Sequence, residues 1–240
     1  MDRTASPPAA APATTPLARA GQFVWLTARV LEQRRFAYHF LGGGADAVET
    51  ALTAYLGDDG GYGHALEPDL RGPVSQPLHT AHALRVLDGV GRCGGQRVER
   101  VCRYLTEVST PDGALPAVLP VPRGCPAAPW IPVPAAGGTQ GALVTTGPVV
   151  GLLHRNQVWH AWLFRATDFC WAAVAALTDG RAAAASHEVS AAVAFLDGVP
   201  DRARAEAAAQ RLGRVVRERR LVSLDPAPAA ACPPPARGAG

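Results

Sequence analysis

Glu67 and Asp69 flank Pro68, with His64 and Arg71 close by, in the string Asp59-Gly60-Gly61-Tyr62-Gly63-His64-Ala65-Leu66-Glu67-Pro68-Asp69-Leu70-Arg71. Two carboxylates so spaced can divide acid–base work. Burial and a like-charged neighbour hold one protonated, while an arginine keeps the other ionised. An enzyme that protonates an alkene or cleaves a glycosidic bond needs such a pair. Glu67, Asp69 and Arg71 are therefore the candidate catalytic residues. The competing reading is structural: one of the acids pairs with Arg71 and with neighbouring helix N-termini and holds the turn.

Gln76, His79 and His82 follow at successive i, i+3 steps and share a broad helix face, with Leu78, Ala81, Leu84 and Leu87 on the other. Together with His64 they are expected to line a cavity. His79 and His82 could share one ion with a carboxylate, but hydrogen-bonded histidines are the simpler reading and no metal is expected. The segment His154–Trp171 is rich in aromatics. Trp159, Trp162 and Phe169 lie near one face, and His160, Phe164 and Trp171 near another. Ring faces stabilise positive charge, so Trp159, His160 and Trp162 join the candidate ligand-binding set; the alternative is that these rings fill a core. The Asp58-Asp59-Gly60-Gly61 turn lacks the ligand periodicity of a calcium loop. No P-loop, dinucleotide fingerprint or G-x-S-x-G elbow occurs, so the sequence names no cofactor.

These residues sit in a chain of 240 residues, 48% hydrophobic, which is enough for one domain with a real core. The net charge of +3 comes from arginine alone, because the sequence has no lysine; that excludes a Schiff-base or Walker-type lysine. The arginines are spread out, and no nucleic-acid partner is expected. Five cysteines without a C-x-x-C pair fit a reducing cytoplasm. The N-terminus does not read as a secretory signal. The most apolar segment, Trp159–Leu177, is interrupted by Arg165 and Asp168, so no transmembrane segment is expected.

Residues 1–20 and 226–240 are Ala/Pro-rich and expected to be disordered, leaving a domain over 21–225. Apolar periodicity predicts helices at about Gly21–Leu41, Asp46–Leu56 (capped by Asp46), Val74–Val90, Gln96–Val108, Gly147–Leu153, Ala161–Leu177, His187–Leu196 and Arg202–Val222, the last capped by Asp201. Ala114–Thr146 is read as irregular loop. Ala51–Leu56 before Asp59-Gly60-Gly61 and Val101–Leu105 before Asp112-Gly113 form a weak internal repeat. The fold class is all-α, and repeated helical hairpins build either a solenoid or a closed α/α ring.

With these helix pairs and Asp-Gly-Gly-aromatic-Gly turns, the sequence resembles the terpenoid cyclase and protein prenyltransferase α/α-toroid superfamily. The string Asp59–Arg71, followed by Ser75-Gln76-Pro77, looks more closely like a family of actinobacterial proteins described as prenyltransferase-like or squalene-cyclase-like. The resemblance covers about Gln22–Asp225. It implies a complete or partial α/α toroid and a hydrophobic isoprenoid-type small molecule as partner. It also implies Glu67 or Asp69 as the acid, Arg71 as its ion partner, and a cavity lined by His79, Trp159 and Trp162. The chain lacks both the Asp-x-Asp-Asp acid motif of squalene-type cyclases and the zinc pattern of protein prenyltransferases. Where relatives continue into a further helix pair, this chain passes after Leu224-Asp225 into low complexity, so a C-terminally truncated ring is expected. The alternatives are a non-catalytic toroid acting as a binding or scaffold module, and a carbohydrate-active α/α barrel using Glu67 and Asp69.

Overall fold

The computed structural model describes residues 15–131, 133–134, 139–182 and 185–221. Among them the chain forms nine α-helices: α1 (Pro16–Thr27), α2 (Val30–Phe40), α3 (Ala45–Thr53), α4 (Pro77–Gly89), α5 (Gly95–Val108), α6 (Leu143–Arg155), α7 (Ala161–Thr178), α8 (Ser186–Gly198) and α9 (Arg202–Glu218). The fold is all-α. Extended pairing among the described residues is limited to isolated bridges such as Leu56–Tyr62 and Pro116–Gly141. No described helix is long and apolar enough to cross a membrane. The expected tail, 226–240, and residues 1–14 lie outside the described residues.

Several boundaries differ from the sequence expectation, each for a local reason. Thr15 accepts the Ala18 N–H at 3.1 Å and Pro16 takes the first helical position, so α1 starts before Gly21. The single helix expected over Gly21–Leu41 is broken at Ala28 and Arg29, both extended. There the Gln33 amide donates to the Ala28 carbonyl at 2.9 Å, occupying an acceptor at the end of α1. Asp46 does not cap α3. Gly44 holds that position, and the Asp46 carboxylate pairs with Arg92 at 2.8 Å. Helix α6 begins at Leu143 rather than Gly147 and carries Pro148 inside it, at the loss of one backbone hydrogen bond. Asp201 does cap α9, accepting the Arg204 N–H at 3.1 Å.

Helices α4, α6 and α8 pack in one row and α5, α7 and α9 in a second, with each row-one helix against its successor in sequence. The C-terminal ends of the first row are aligned. Arg155 at the end of α6 reaches Asp88 of α4 at 2.5 Å and Asp197 of α8 at 3.4 Å. Helix α6 is buried on most of its surface, as a helix enclosed by neighbours must be.

The internal repeat is visible in the hydrogen bonding of two turns. Ahead of α4, Gly57 N–H donates to the Gly61 carbonyl (2.8 Å), Asp59 accepts the Gly61 N–H (2.9 Å), and the Thr80 hydroxyl accepts the Tyr62 N–H (3.0 Å). Ahead of α6, Thr110 N–H donates to the Ala114 carbonyl (2.9 Å), Asp112 accepts the Ala114 N–H (3.4 Å), and the Thr146 hydroxyl accepts the Leu115 N–H (2.8 Å). Gly60 and Gly113 stand at φ 84° and 87°, where a side chain is strained. A Cβ on either would also meet backbone, the Arg100 carbonyl of α5 at 2.9 Å or the Ala166 nitrogen of α7 at 2.7 Å. Each turn is thereby wedged between the row-one helix that follows it and the row-two helix beyond.

Helices α6 and α8 approach until backbones touch. A Cβ on Gly147 would lie 2.8 Å from the Ala191 carbonyl, and a Cβ on Gly151 would run into the Ala194 carbonyl. Gly151→Ala is expected to cost more than about 3 kcal/mol or to prevent folding, whereas Gly89→Ala, in open space at the end of α4, should be neutral or stabilising by up to about 1 kcal/mol. Similar denaturant midpoints for the two variants would refute the backbone contact. Thr80→Val leaves the Tyr62 N–H buried without a partner and should cost about 1–3 kcal/mol in the same assay.

Candidate functional site

The loop between Gly63 and Ser75 is held by strain-bearing backbone and long-range hydrogen bonds. His64 and Ala65 both adopt positive φ, 52° and 62°, which costs on the order of 1–3 kcal/mol per residue and persists only where the surroundings enforce it. The enforcement is visible. His64 N–H donates to the Gly72 carbonyl at 3.1 Å, and the Arg29 guanidinium donates to the Ala65 and Leu66 carbonyls at 2.9 and 3.1 Å.

This loop delivers Glu67 to α4, where its carboxylate meets His82 Nδ1 at 2.5 Å and Arg85 at 3.6 Å. The His82 hydrogen bond is the main cause that holds the Glu67 carboxyl below its ordinary range, and the charges of His82 and Arg85 add to it against the opposing effect of burial. Glu67 is therefore an ionised acceptor that orients His82; of the two carboxylates, one of which is expected from the sequence to stay protonated, it is not that acid. His79, one turn earlier on α4, is 1% exposed, and neither ring nitrogen has a hydrogen-bond partner among the described residues. Burial pushes its pKa down, with the Glu67 charge opposing.

Asp69 and Arg71 go elsewhere. Asp69 is exposed and accepts the Trp130 indole N–H at 3.0 Å. Arg71 is exposed, donates to the Pro68 carbonyl at 3.4 Å, and makes no ion pair with Glu67 or Asp69 among the described residues. The expected Arg71 ion pair is thus replaced by His82 and Arg85. His64 is exposed, held in place through its backbone. Gln76 is 1% exposed, and its amide is taken up by the backbone of one residue, accepting the Leu119 N–H at 2.7 Å and donating to the Leu119 carbonyl at 3.4 Å.

The aromatic segment builds a second, separate feature. A cleft of about 750 Å³ opens where the end of α6, the first half of α7 and the α8–α9 connection meet. Trp159 and Phe164 stand at its mouth, 83% and 66% exposed, and Leu163, Trp171, Val199 and Pro200 form its apolar wall. His160, whose ring caps α7 through the Trp162 N–H at 3.2 Å, also lines it. Trp162 does not. Its ring is buried, and its indole donates to the Gly113 carbonyl at 3.1 Å.

Three titratable residues of this cleft lie outside the site set expected from the sequence: His154, whose Nε2 lies 2.8 Å from the Thr167 hydroxyl, and the carboxylates Asp168 and Asp201. The spacing of Phe164, Asp168 and Trp171 on one helix face was the available signal. None of Glu67, Asp69, Arg71, His64, Gln76, His79 or His82 lines the cleft. The acid loop enters α4 at its N-terminal end, whereas the cleft is built at the C-terminal ends of α6 and α8.

The lowered pKa values give the sign of the acid response. Neutral His79 contributes stability in full above its ordinary value of 6.5, and that contribution is lost as pH falls through the lower folded value. Ionised Glu67 behaves alike around its ordinary 4.5. His79→Leu should shrink the stability loss as pH falls below about 6.5; His154, also lowered by burial, contributes a loss of the same sign. Glu67→Gln should shrink the loss below about pH 4.5. Chemical denaturation across this range checks both, and unchanged slopes would contradict the assignment.

Comparison of the chain with protein-family models, with curated proteins and with solved structures finds no match in any of the three.

Proposed function

We propose that the protein is a binding module for a hydrophobic small molecule of isoprenoid type, seated in the aromatic cleft. The cleft carries this reading. Its volume of about 750 Å³ falls within the roughly 300–1,000 Å³ of ordinary ligand sites, and such sites are mostly apolar with a few placed polar groups. On this reading the two helix rows are the inner and outer walls of a partial α/α toroid, in keeping with the family resemblance. The cytoplasm is its setting. Burial pushes the thiols of Cys93 and Cys102 up to about 12, so they pack as small apolar groups.

Binding is favoured over catalysis because the acid pair is otherwise engaged. Glu67 is ionised on His82, Asp69 holds Trp130, and neither faces the cleft. A proton donor for alkene chemistry has to touch the ligand.

Titration of the full chain with farnesol and geranylgeraniol, read by tryptophan fluorescence and thermal shift, tests the proposal. Trp159→Ala should weaken binding by about tenfold, on the scale of roughly 1.5–3 kcal/mol for covering a large apolar side chain, with an unchanged melting temperature because the ring is 83% exposed. Absence of any response to isoprenoids would end this reading. Stabilisation by oligosaccharides instead would favour a sugar groove, in which Asp168 and Asp201 share the cleft with the exposed Trp159.

A further inference from the structure

We infer that the ligand of the aromatic cleft carries a positive charge, as a quaternary ammonium or protonated amine attached to its apolar body. The inference rests on the proposal that the cleft binds an apolar molecule, and names its head group.

The charge of the lining is one-sided. Asp168 and Asp201 both face the cleft, and no arginine among the described residues lines it. Asp168 has no hydrogen bond or ion pair to any described residue, and Asp201 spends one oxygen on the α9 cap. Of the two histidines in the lining, His160 spends Nδ1 on the Trp162 N–H that it caps. His154 is held toward its neutral form by burial. A protein of net charge +3 thus presents an anionic, aromatic recess.

The rings match that charge. Phe164 and Asp168 lie one turn apart on the same face of α7, so one ligand group can touch both. A cation over an aromatic face is attracted by the ring's negative face, more strongly when a carboxylate stands beside it and water is excluded. Trp171, in the cleft wall, already takes such a partner. The Arg204 guanidinium sits 4.0 Å from its ring centre. Trp159 and Phe164 remain open at the mouth. A neutral ligand would cover these rings and bury the carboxylates against nothing; an anionic one would be repelled. The arrangement favours a head group of one positive charge at the mouth and an apolar chain against Leu163, Val199 and Pro200.

A matched set of probes separates the terms: decyltrimethylammonium, decanol and decyl sulfate, each below its micelle concentration, titrated into the full chain by calorimetry. The ammonium should bind at least about tenfold more tightly than decanol, with decyl sulfate weakest. Asp168→Asn, at an exposed residue without structural bonds, should cut ammonium affinity by at least about fivefold and leave decanol within about twofold. If decanol or decyl sulfate matches the ammonium, or if Asp168→Asn weakens all probes alike, the charge inference falls while the apolar reading stands. If none of the three binds, both fall.

Discussion

The hydroxyls of Thr80 and Thr146, both fully buried, each accept a backbone N–H that no secondary-structure partner reaches. An amide left unpaired at that depth would cost about 1–3 kcal/mol. The bond does more than satisfy the amide. It fixes a glycine turn to the helix that follows, and the turn's glycine then lodges against the backbone of the next row-two helix. One side-chain oxygen therefore sets the spacing between the two rows, once for α4–α5 and again for α6–α7. The Trp162 indole closes the second copy by donating to Gly113. Disturbing either threonine loosens a wedge rather than a single contact.

From the second wedge the geometry passes to α6. Its glycines let α8 come to backbone distance, which no pair of larger residues would permit. That proximity brings Asp197 within reach of Arg155, which also holds Asp88, so the three C-terminal ends stay level. Carboxylates at helix C-termini face the negative end of the macrodipole, and Arg155 offsets both. With the ends level, the α8–α9 connection stands opposite the start of α7, and the cleft is the space left between them. The cleft is thus a by-product of small residues in α6 that do not themselves line it.

Some of this was legible beforehand and some was not. The Asp-Gly turns announced the repeat because glycine at positive φ has a sequence signature. Their threonine partners did not, since the connection from turn to helix is short before α4 and spans a Pro-rich stretch before α6, which hides the correspondence. The break between α1 and α2 left no trace in the apolar stripe; it depends on Gln33 and on Arg29 reaching the loop at Ala65 and Leu66. Gln76 reads as a cavity-lining amide by helical periodicity, yet the Leu119 peptide claims it. Trp159 and Trp162, three apart, should share a face, but Trp159 precedes the α7 cap and helical spacing does not apply to it. One ring consequently faces solvent and the other the core.

The same logic separates the two halves of the chemistry suggested by residue types alone. Carboxylates near histidines suggest proton transfer, and aromatics suggest a cation-tolerant pocket; a cyclase needs both at one place. Here Glu67 is drawn to His82 and Arg85 on the side of α4, on a loop whose strained backbone at His64 and Ala65 is clamped by Arg29. The clamp leaves the carboxylate ionised and remote from the rings. The acids that do share the cleft, Asp168 and Asp201, stand near the exposed Trp159 and Phe164 with no arginine among the described residues in the lining. Carboxylates so placed would attract a cation already present on a ligand. Both are exposed, whereas an acid that is to create a cation needs burial to keep its proton.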